Sequence, residues 1–542
     1  MTRGFFAVSA LLLAGAPAYC QKAQYACDEL MTAPLASTRI TLARVNPPSA
    51  TAALPEHCEL EANINERTGA DGKRYAIGFH LRLPVGWNGR MYFQGGGGLD
   101  GSLGNALGGG AFSKGYAVVS TDAGHRSEAV PGIGGALFGL DPQARLDYGY
   151  NALDVATRTA KRIIELHYGR KPSYSYFVGC SNGGRQAMMA AERFPEYFDG
   201  IVAGDPGFNL PEAALAQAWD AQAFAKATTV LDVNGQPYLP AAFSDQDLML
   251  VSKTVLKKCD ALDGLEDGMV NNLPACHIDL AELQCPSTKD ASCLSPQQVK
   301  ALRSVFDGPR DSRGRALYAS WPYDAGIGNR GWRTWKIGVP AAPGQPLVNN
   351  AINTGLGGSA VAYVFVTPPA PVPANDLVRY LLNFNFDTGA PRIFEKSGKF
   401  TQSSMQFMTA TSTDLKKFQR HGGKLILYHG GSDPIFSLND TIRWYQGVSK
   451  EANGKVDQFA RLFVIPGMNH CGGGPATDSF DALSAIADWV EHGKAPAEIQ
   501  ASAGQNSPWP GRTRPLCAYP KQPRYRGSGD INNAANFTCE LP

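Results

Sequence analysis

The sequence has almost no excess charge: 50 Lys and Arg stand against 48 Asp and Glu in 542 residues, a formal net charge of +2. That balance leaves no field to draw in a polyanion, which sets aside nucleic acid and anionic membranes as partners. Long apolar runs are equally scarce. Beyond the N-terminus none reaches the roughly 18 residues that suggest a bilayer-spanning helix, so no integral membrane segment is expected after signal cleavage. Internal repeats, low-complexity tracts and long flexible linkers are also missing. The four glycines at 95–98 lack the Lys-Ser/Thr pair and following helix of a phosphate-binding loop. At 44% hydrophobic and 18% charged residues, the chain is too apolar to be disordered.

What is present begins with an export signal. Arg3 precedes an apolar run over 5–16, and Ala16-Pro17-Ala18 offers the small-x-small pattern of a cleavage site, so 1–18 reads as a signal peptide. A lipid anchor on Cys20 is disfavoured because Tyr19 sits where a small residue is wanted. Eleven cysteines, ten once Cys20 is set aside, suggest disulfides and a secreted or periplasmic protein. Ten cysteines allow hundreds of connectivities. Sequence neighbours point to Cys27 with Cys58, Cys259 with Cys276, Cys285 with Cys293 and Cys517 with Cys539, which leaves Cys180 and Cys471.

Strand patterns at 75–83, 90–94, 116–121 and 173–178 alternate with helical spacing over 147–168 and 185–194. This is the alternation of a parallel sheet covered on both faces. The pattern is lost between about 206 and 400, where loops are expected to dominate, and resumes with strands at 424–428 and 461–465 and a helix over 479–490. The economical reading is an α/β core, 19–206 and 401–542, interrupted by an inserted domain over 207–400.

The strongest local signal is Gly179-Cys180-Ser181-Asn182-Gly183 between a strand and a helix. Small residues two before and two after a serine permit the sharp turn that lifts its hydroxyl above the sheet, which makes Ser181 a candidate nucleophile. The bland alternative is a glycine-rich turn. In a hydrolase of this design the acid and the histidine follow the serine on loops after later strands. Asp433 and His470 occupy those places. Asp433 lies in a good turn sequence and His470 beside glycines, so each has an ordinary loop reading as well. His429 precedes the acid and is expected to close its strand; His492 ends a helix, where a cation is favoured. Cys180 adjoins Ser181 and Cys471 adjoins His470, so a bond between these two cysteines would tie nucleophile to base. An oxyanion formed during ester cleavage needs two N–H donors: the backbone of Asn182 and, from the glycine loop, that of Gly96 or Gly97.

Between Cys259 and Cys276, the carboxylates of Asp260, Asp263 and Asp267 and the main-chain carbonyls of Leu265 and Met269 make an oxygen-only set suited to Ca²⁺. A solvated acidic turn is the alternative, and the enclosing cysteines favour the metal.

Taken together, Gly179 to Arg185, Gly430-Gly431-Ser432-Asp433, Pro466 to Cys471, the Asp260 to Met269 segment and Arg512 to Cys517 resemble the tannase and feruloyl esterase family of α/β-hydrolases, which includes the mono(2-hydroxyethyl) terephthalate hydrolases. The resemblance implies an α/β-hydrolase fold with a large inserted lid domain and a Ser181–Asp433–His470 triad. It also implies a disulfide beside the triad and structural calcium held by Asp260, Asp263, Leu265, Asp267 and Met269. The terephthalate hydrolases of the family hold a free carboxylate with a lid arginine and an adjacent aromatic. The comparable stretch here, 349–368, has neither, with Asn353 and Gly357 in their place; Trp332, Arg333, Trp335 and Lys336 offer an aromatic and cationic wall elsewhere in the lid, or part of its core. The expected activity is cleavage of small aromatic-acid esters of feruloyl or galloyl type without an organic cofactor. Terephthalate monoester hydrolysis, a serine peptidase on the same core and a non-catalytic binding protein are the alternatives.

Overall fold

A computed structural model describes residues 25–51 and 53–542. The expected signal peptide and Cys20 fall outside the described residues. Nine strands form one sheet in the order β1-β2-β3-β5-β4-β6-β7-β8-β9. The first three, β1 (Thr38–Asn46), β2 (His57–Thr68) and β3 (Arg74–Pro84), pair antiparallel, and β3 also runs antiparallel to β5 (Ala117–Thr121). From there β5, β4 (Arg90–Gln94), β6 (Tyr174–Cys180), β7 (Gly200–Gly204), β8 (Lys424–Gly430) and β9 (Ala460–Ile465) are all parallel.

Alternation along these strands divides two apolar layers, because successive side chains point to opposite faces. Met91, Phe93, Phe177, Ile201 and Leu425 enter one layer, with the helix Ala152–Tyr168 packed against it. Tyr92, Tyr176, Val202, Ile426 and Phe463 enter the other, closed by Trp489 of the helix Ala482–His492. With both faces buried, the parallel strands read as short continuous apolar runs. The strands β1, β2 and β7 are additions to the sequence reading. Gly-Ile-Val-Ala-Gly, the whole of β7, is too short to show a period, yet all five residues are buried.

Between β7 and β8 the chain leaves the sheet, and here the expectation of loops needs correction. This stretch holds the helices Leu210–Ala225, Asp245–Cys259 and Pro296–Asp307. Ser244 and Ser295 start the last two with reciprocal capping boxes, each satisfying backbone donors that a helix start leaves unpaired. Helix Leu210–Ala225 escapes detection because it is buried nearly all round, with every residue from Ala213 to Ala218 buried. After the sheet, two short antiparallel pairs, β10 (Glu498–Ser502) with β11 (Thr513–Cys517) and β12 (Gln522–Tyr525) with β13 (Phe537–Glu540), complete the chain's described strands. Disulfides join Cys27 to Cys58, Cys259 to Cys276, Cys285 to Cys293 and Cys517 to Cys539; the fifth joins Cys180 to Cys471 across 291 residues.

Candidate active site

Strand β6 delivers Ser181 to the C-terminal edge of the sheet, and helix Asn182–Arg193 starts directly after it. Ser181 has φ 64° and ψ −126°, a backbone state that a non-glycine residue holds only when its surroundings enforce it. They do so by close approach. A Cβ on Gly179 would lie 2.5 Å from the carbonyl of Gly183, and one on Gly183 would lie 2.6 Å from the carbonyl of Gly96. The glycine spacing noted in the sequence is therefore steric necessity.

His470 sits on the loop after β9 and Asp433 on the loop after β8. The Nδ1 of His470 is 2.8 Å from Asp433 Oδ2, while Asp433 Oδ1 accepts the N–H groups of Ile435 (2.7 Å) and Phe436 (3.1 Å). Burial alone would raise the Asp433 carboxyl; the charge of and hydrogen bond to His470 hold it below the ordinary carboxylate range. The Asp433 carboxylate accepts a hydrogen bond from Nδ1–H, which keeps that proton on Nδ1 and leaves Nε2 as an acceptor. That Nε2 is buried and has no partner among the described residues, and the Ser181 hydroxyl makes no hydrogen bond either. The rings of Trp335 and Phe436 pack edge-on to the imidazole at 5.3 and 5.4 Å. The Cys180–Cys471 disulfide, with its Cα atoms 6.0 Å apart, links the neighbours of serine and histidine. The rival His429 is fully buried with both nitrogens engaged, by Thr441 Oγ1 at 2.9 Å and the Phe436 carbonyl at 3.1 Å, and burial lowers its pKa. His492 is the last residue of the helix Ala482–His492.

The oxyanion donors need a correction. Asn182 is the first helical residue, so its N–H has no intrahelical acceptor and is free to donate. Gly96 and Gly97 are not. The Gly96 N–H donates to Gln186 Oε1 at 2.9 Å and that of Gly97 to Asp100 Oδ1 at 3.0 Å. Gly98, the next residue with a loop conformation at φ 56°, lines the cavity beside Ser181 and Asn182, and its N–H makes no hydrogen bond to any described residue. Tyr148 Oη fixes this turn by donating to the Gly98 carbonyl at 3.0 Å.

Two carboxylates absent from the sequence reading organise these loops. Asp100 Oδ2 accepts the side-chain amides of Asn182 and Gln186, both at 2.8 Å, which staples the glycine loop to the nucleophile's helix; burial pushes its carboxyl up to about 7. Asp205, fully buried after β7, accepts the N–H of Gly430 at 2.7 Å and of Cys471 at 2.8 Å, so one side chain ties the end of β8, before the acid, to the residue after the base. Burial, then repulsion from Asp433, push Asp205 well above the ordinary carboxylate range. The two shifts run in opposite directions, Asp205 up and Asp433 down, which makes Asp433 the stronger acid of this adjacent pair. The available signal for Asp205 was Gly204-Asp205-Pro206, a turn closing a strand at the same edge as Ser181.

Beside Ser181 lies a narrow cavity with about 420 Å³ of empty space, its mouth included, walled by Leu99, Leu210, Trp335, Leu356, Phe365, Ile435 and Phe436. Neither of the two cations singled out from the sequence, Arg333 and Lys336, lines it. Arg333 donates to the carbonyls of Phe243 and Pro240, and Lys336 is buried against Asp220 at 2.5 Å. Trp332 belongs to the core, so of the wall suggested by sequence only Trp335 lines the site.

The acidic loop after Cys259 is drawn in by its own backbone. Asp260 accepts the N–H of Gly268 (2.8 Å), Asp263 that of Leu265 (3.0 Å) and Asp267 that of Met269 (3.2 Å). Burial, together with repulsion from Asp267 and Asp260, raises Asp263 to about 6, and the buried Oδ1 of Asn271 has no donor. Arg514 pairs with the Asp267 carboxylate, Arg512 donates to the Asp267 carbonyl at 2.7 Å and Arg524 to that of Asp263 at 2.6 Å. Three carboxylates and the orphaned Asn271 carbonyl oxygen make an oxygen-only donor set of the kind that fits a hard divalent cation.

A strained serine after a central parallel strand, followed in the chain by an acid and a histidine on later strand-end loops, defines an α/β-hydrolase. The chain belongs to the tannase and feruloyl esterase family, whose model matches residues 62–540. It is 46% identical over 526 residues to a mono(2-hydroxyethyl) terephthalate hydrolase of Piscinibacter sakaiensis, covering 91% of this chain and 86% of that one. A probable feruloyl esterase of Arthroderma benhamiae is 29% identical over 484 residues, 86% of this chain and 82% of the relative. The crystal structure of feruloyl esterase B from Aspergillus oryzae shares the fold with a TM-score of 0.75 at 23% identity, covering 95% and 99% of the two chains. The protein is accordingly a carboxylic ester hydrolase.

Proposed function

We propose that Ser181, His470 and Asp433 are the triad of an exported esterase acting on neutral esters of aromatic acids. The observation that carries the triad is the His470 ring, oriented by Asp433, with its second nitrogen uncommitted and its neighbour bonded covalently to the neighbour of Ser181. Ser181 Oγ attacks the ester carbonyl as His470 Nε2 takes its proton, and the N–H groups of Asn182 and Gly98 receive the oxyanion. His470 then protonates the departing alcohol. Water, deprotonated by the same nitrogen, releases the acid from Ser181. Hydrogen bonds between nucleophile and base are often completed only when substrate is bound, in keeping with the two unpartnered groups. Five disulfides support an oxidising compartment, outside the cell or periplasmic. Among the described residues no helix is long and apolar enough to cross a membrane.

The cavity supports the choice of acyl group: aromatic and aliphatic walls suit a ring, and no lysine or arginine lines it. Identity to a terephthalate monoester hydrolase favours a second reading, in which the acyl group carries a free carboxylate. Burying that carboxylate without a cation costs several kcal/mol, which argues for the neutral esters. Side-by-side kcat/KM values decide between them. Methyl ferulate or methyl gallate is expected to exceed mono(2-hydroxyethyl) terephthalate by at least about tenfold; the terephthalate monoester as best substrate refutes the neutral-ester reading.

For the acidic loop the proposed ion is Ca²⁺, held by the carboxylates of Asp260, Asp263 and Asp267 and the carbonyls of Leu265 and Met269, and its part is structural. A ligand of the native state alone stabilises by about 2.7 kcal/mol at a hundred times its Kd. Chelation is therefore expected to lower Tm by several degrees, reversibly on adding calcium, and Asp263→Ala is expected to remove the response. Thermal melts with and without chelator check this. An unchanged Tm, or immediate loss of activity in an intact fold, contradicts a structural calcium.

A further inference from the structure

The cavity wall contains one polar side chain that the chemistry above leaves without a task. Gln217 lies on helix Leu210–Ala225 among alanines, is 7% exposed, and lines the cavity together with Ser181, Leu356 and Phe365. Its amide makes no hydrogen bond to any described residue, and its polar atoms are open to the cavity, not sealed in the core. Its position depends on a glycine in direct contact with it. A Cβ placed on Gly357 would fall 1.6 Å from Gln217 Oε1 and 2.7 Å from its amide carbon. Any other residue at 357 would displace the amide, so Gly357 and Gln217 act as a pair: one vacates the space that the other occupies.

We propose that Gln217, admitted by Gly357, is a specificity-determining residue that reads a neutral hydrogen-bonding group, a phenolic hydroxyl, on the ring of the acyl half of the substrate. The inference rests on the aromatic-ester reading of the site and deepens it. A primary amide both accepts from and donates to a hydroxyl, and it carries no charge with which to compensate a carboxylate. The acyl half remains on Ser181 through both half-reactions while the alcohol has to leave to water, which suits the enclosed wall to the acid and not to the alcohol. Sites built to bond a substrate hydroxyl discriminate strongly against its absence, because the unpaired protein group is then left buried.

The test compares kcat/KM for methyl 4-hydroxycinnamate and methyl cinnamate in the wild type, Gln217→Ala, Gly357→Ala and the double variant. The wild type is expected to prefer the hydroxylated ester by at least about tenfold. Gln217→Ala is expected to bring the ratio close to one. Gly357→Ala lowers the ratio in the wild-type background and has little further effect on it once Gln217 is gone, the non-additivity of residues in contact. Gln217→Met, which keeps volume without an amide, gives the same readout if the alanine variant fails to fold. A wild-type ratio near one, or a Gln217 variant that lowers both esters equally, overturns the assignment while leaving the aromatic reading in place. Cleavage of 4-nitrophenyl acetate with neither cinnamate turned over removes the aromatic reading, and this inference with it.

Discussion

Ser181→Ala is expected to abolish turnover, lowering kcat by on the order of 10⁵-fold, while the protein still folds. The size follows from the division of labour at the site. Without Oγ no acyl-enzyme forms, and His470 and Asp433 have no nucleophile to serve, so what is left is the modest contribution of bound substrate and oxyanion donors. The fold is expected to tolerate the change. The Ser181 hydroxyl makes no hydrogen bond to any described residue, and alanine has the same Cβ at the same φ of 64°, so the strained turn is neither relieved nor aggravated. Tm is expected within about 2 °C of wild type. Purified Ser181→Ala with undiminished kcat would end the serine-esterase mechanism; a fluorophosphonate probe, expected to label the wild type and not the variant, tests the nucleophile independently of substrate choice.

Replacing both Cys180 and Cys471 by alanine is expected to lower kcat by about a hundredfold, because displacing a catalytic group by about 1 Å costs that much. Tm should fall too. A bond closing 291 residues contributes roughly 5–6 kcal/mol in the chain-entropy model. The two effects separate by experiment: kcat is measured well below both melting temperatures and set beside Cys285→Ala/Cys293→Ala, which opens a bond spanning only 8 residues and remote in sequence from the triad. A catalytic loss confined to the Cys180 and Cys471 variant marks base placement. Non-reducing peptide mapping that finds free thiols at both positions, or a double variant with full kcat, removes the bond from the mechanism.

Much of this site was legible because its parts are punctuated locally. Ser181, Asp433 and His470 each follow a strand in a segment that contains glycine or proline, and the flanking cysteines single out one histidine among several. The glycine loop was legible only as a place. Which N–H is free depends on Asp100 turning back on Gly97 and on Gln186 reaching Gly96 from a helix 90 residues downstream, and no local pattern carries that. Asp205 was missed for a similar reason: its acceptor role joins residues 225 and 266 positions away. In the insertion, helix Leu210–Ala225 lacked the polar stripe by which helices are recognised, and it carries Gln217 in what reads as a plain alanine-rich run. Arg333 and Lys336, which offered charge to the substrate on sequence alone, proved to be tethered to the insertion's own carbonyls and to Asp220.

The three arginines that meet the acidic loop bear on modularity. Arg512, Arg514 and Arg524 lie downstream of the sheet, yet their partners, Asp263 and Asp267, lie within the segment inserted between β7 and β8. The insertion is contiguous in sequence but not self-sufficient in charge. Exchanging it as a cassette between hydrolases would strand Asp267 without its guanidinium partner and leave the donor's arginines facing foreign carbonyls. The transferable unit is therefore a pair of segments, the insertion together with the stretch from Trp509, which packs on Gly268, to Arg524.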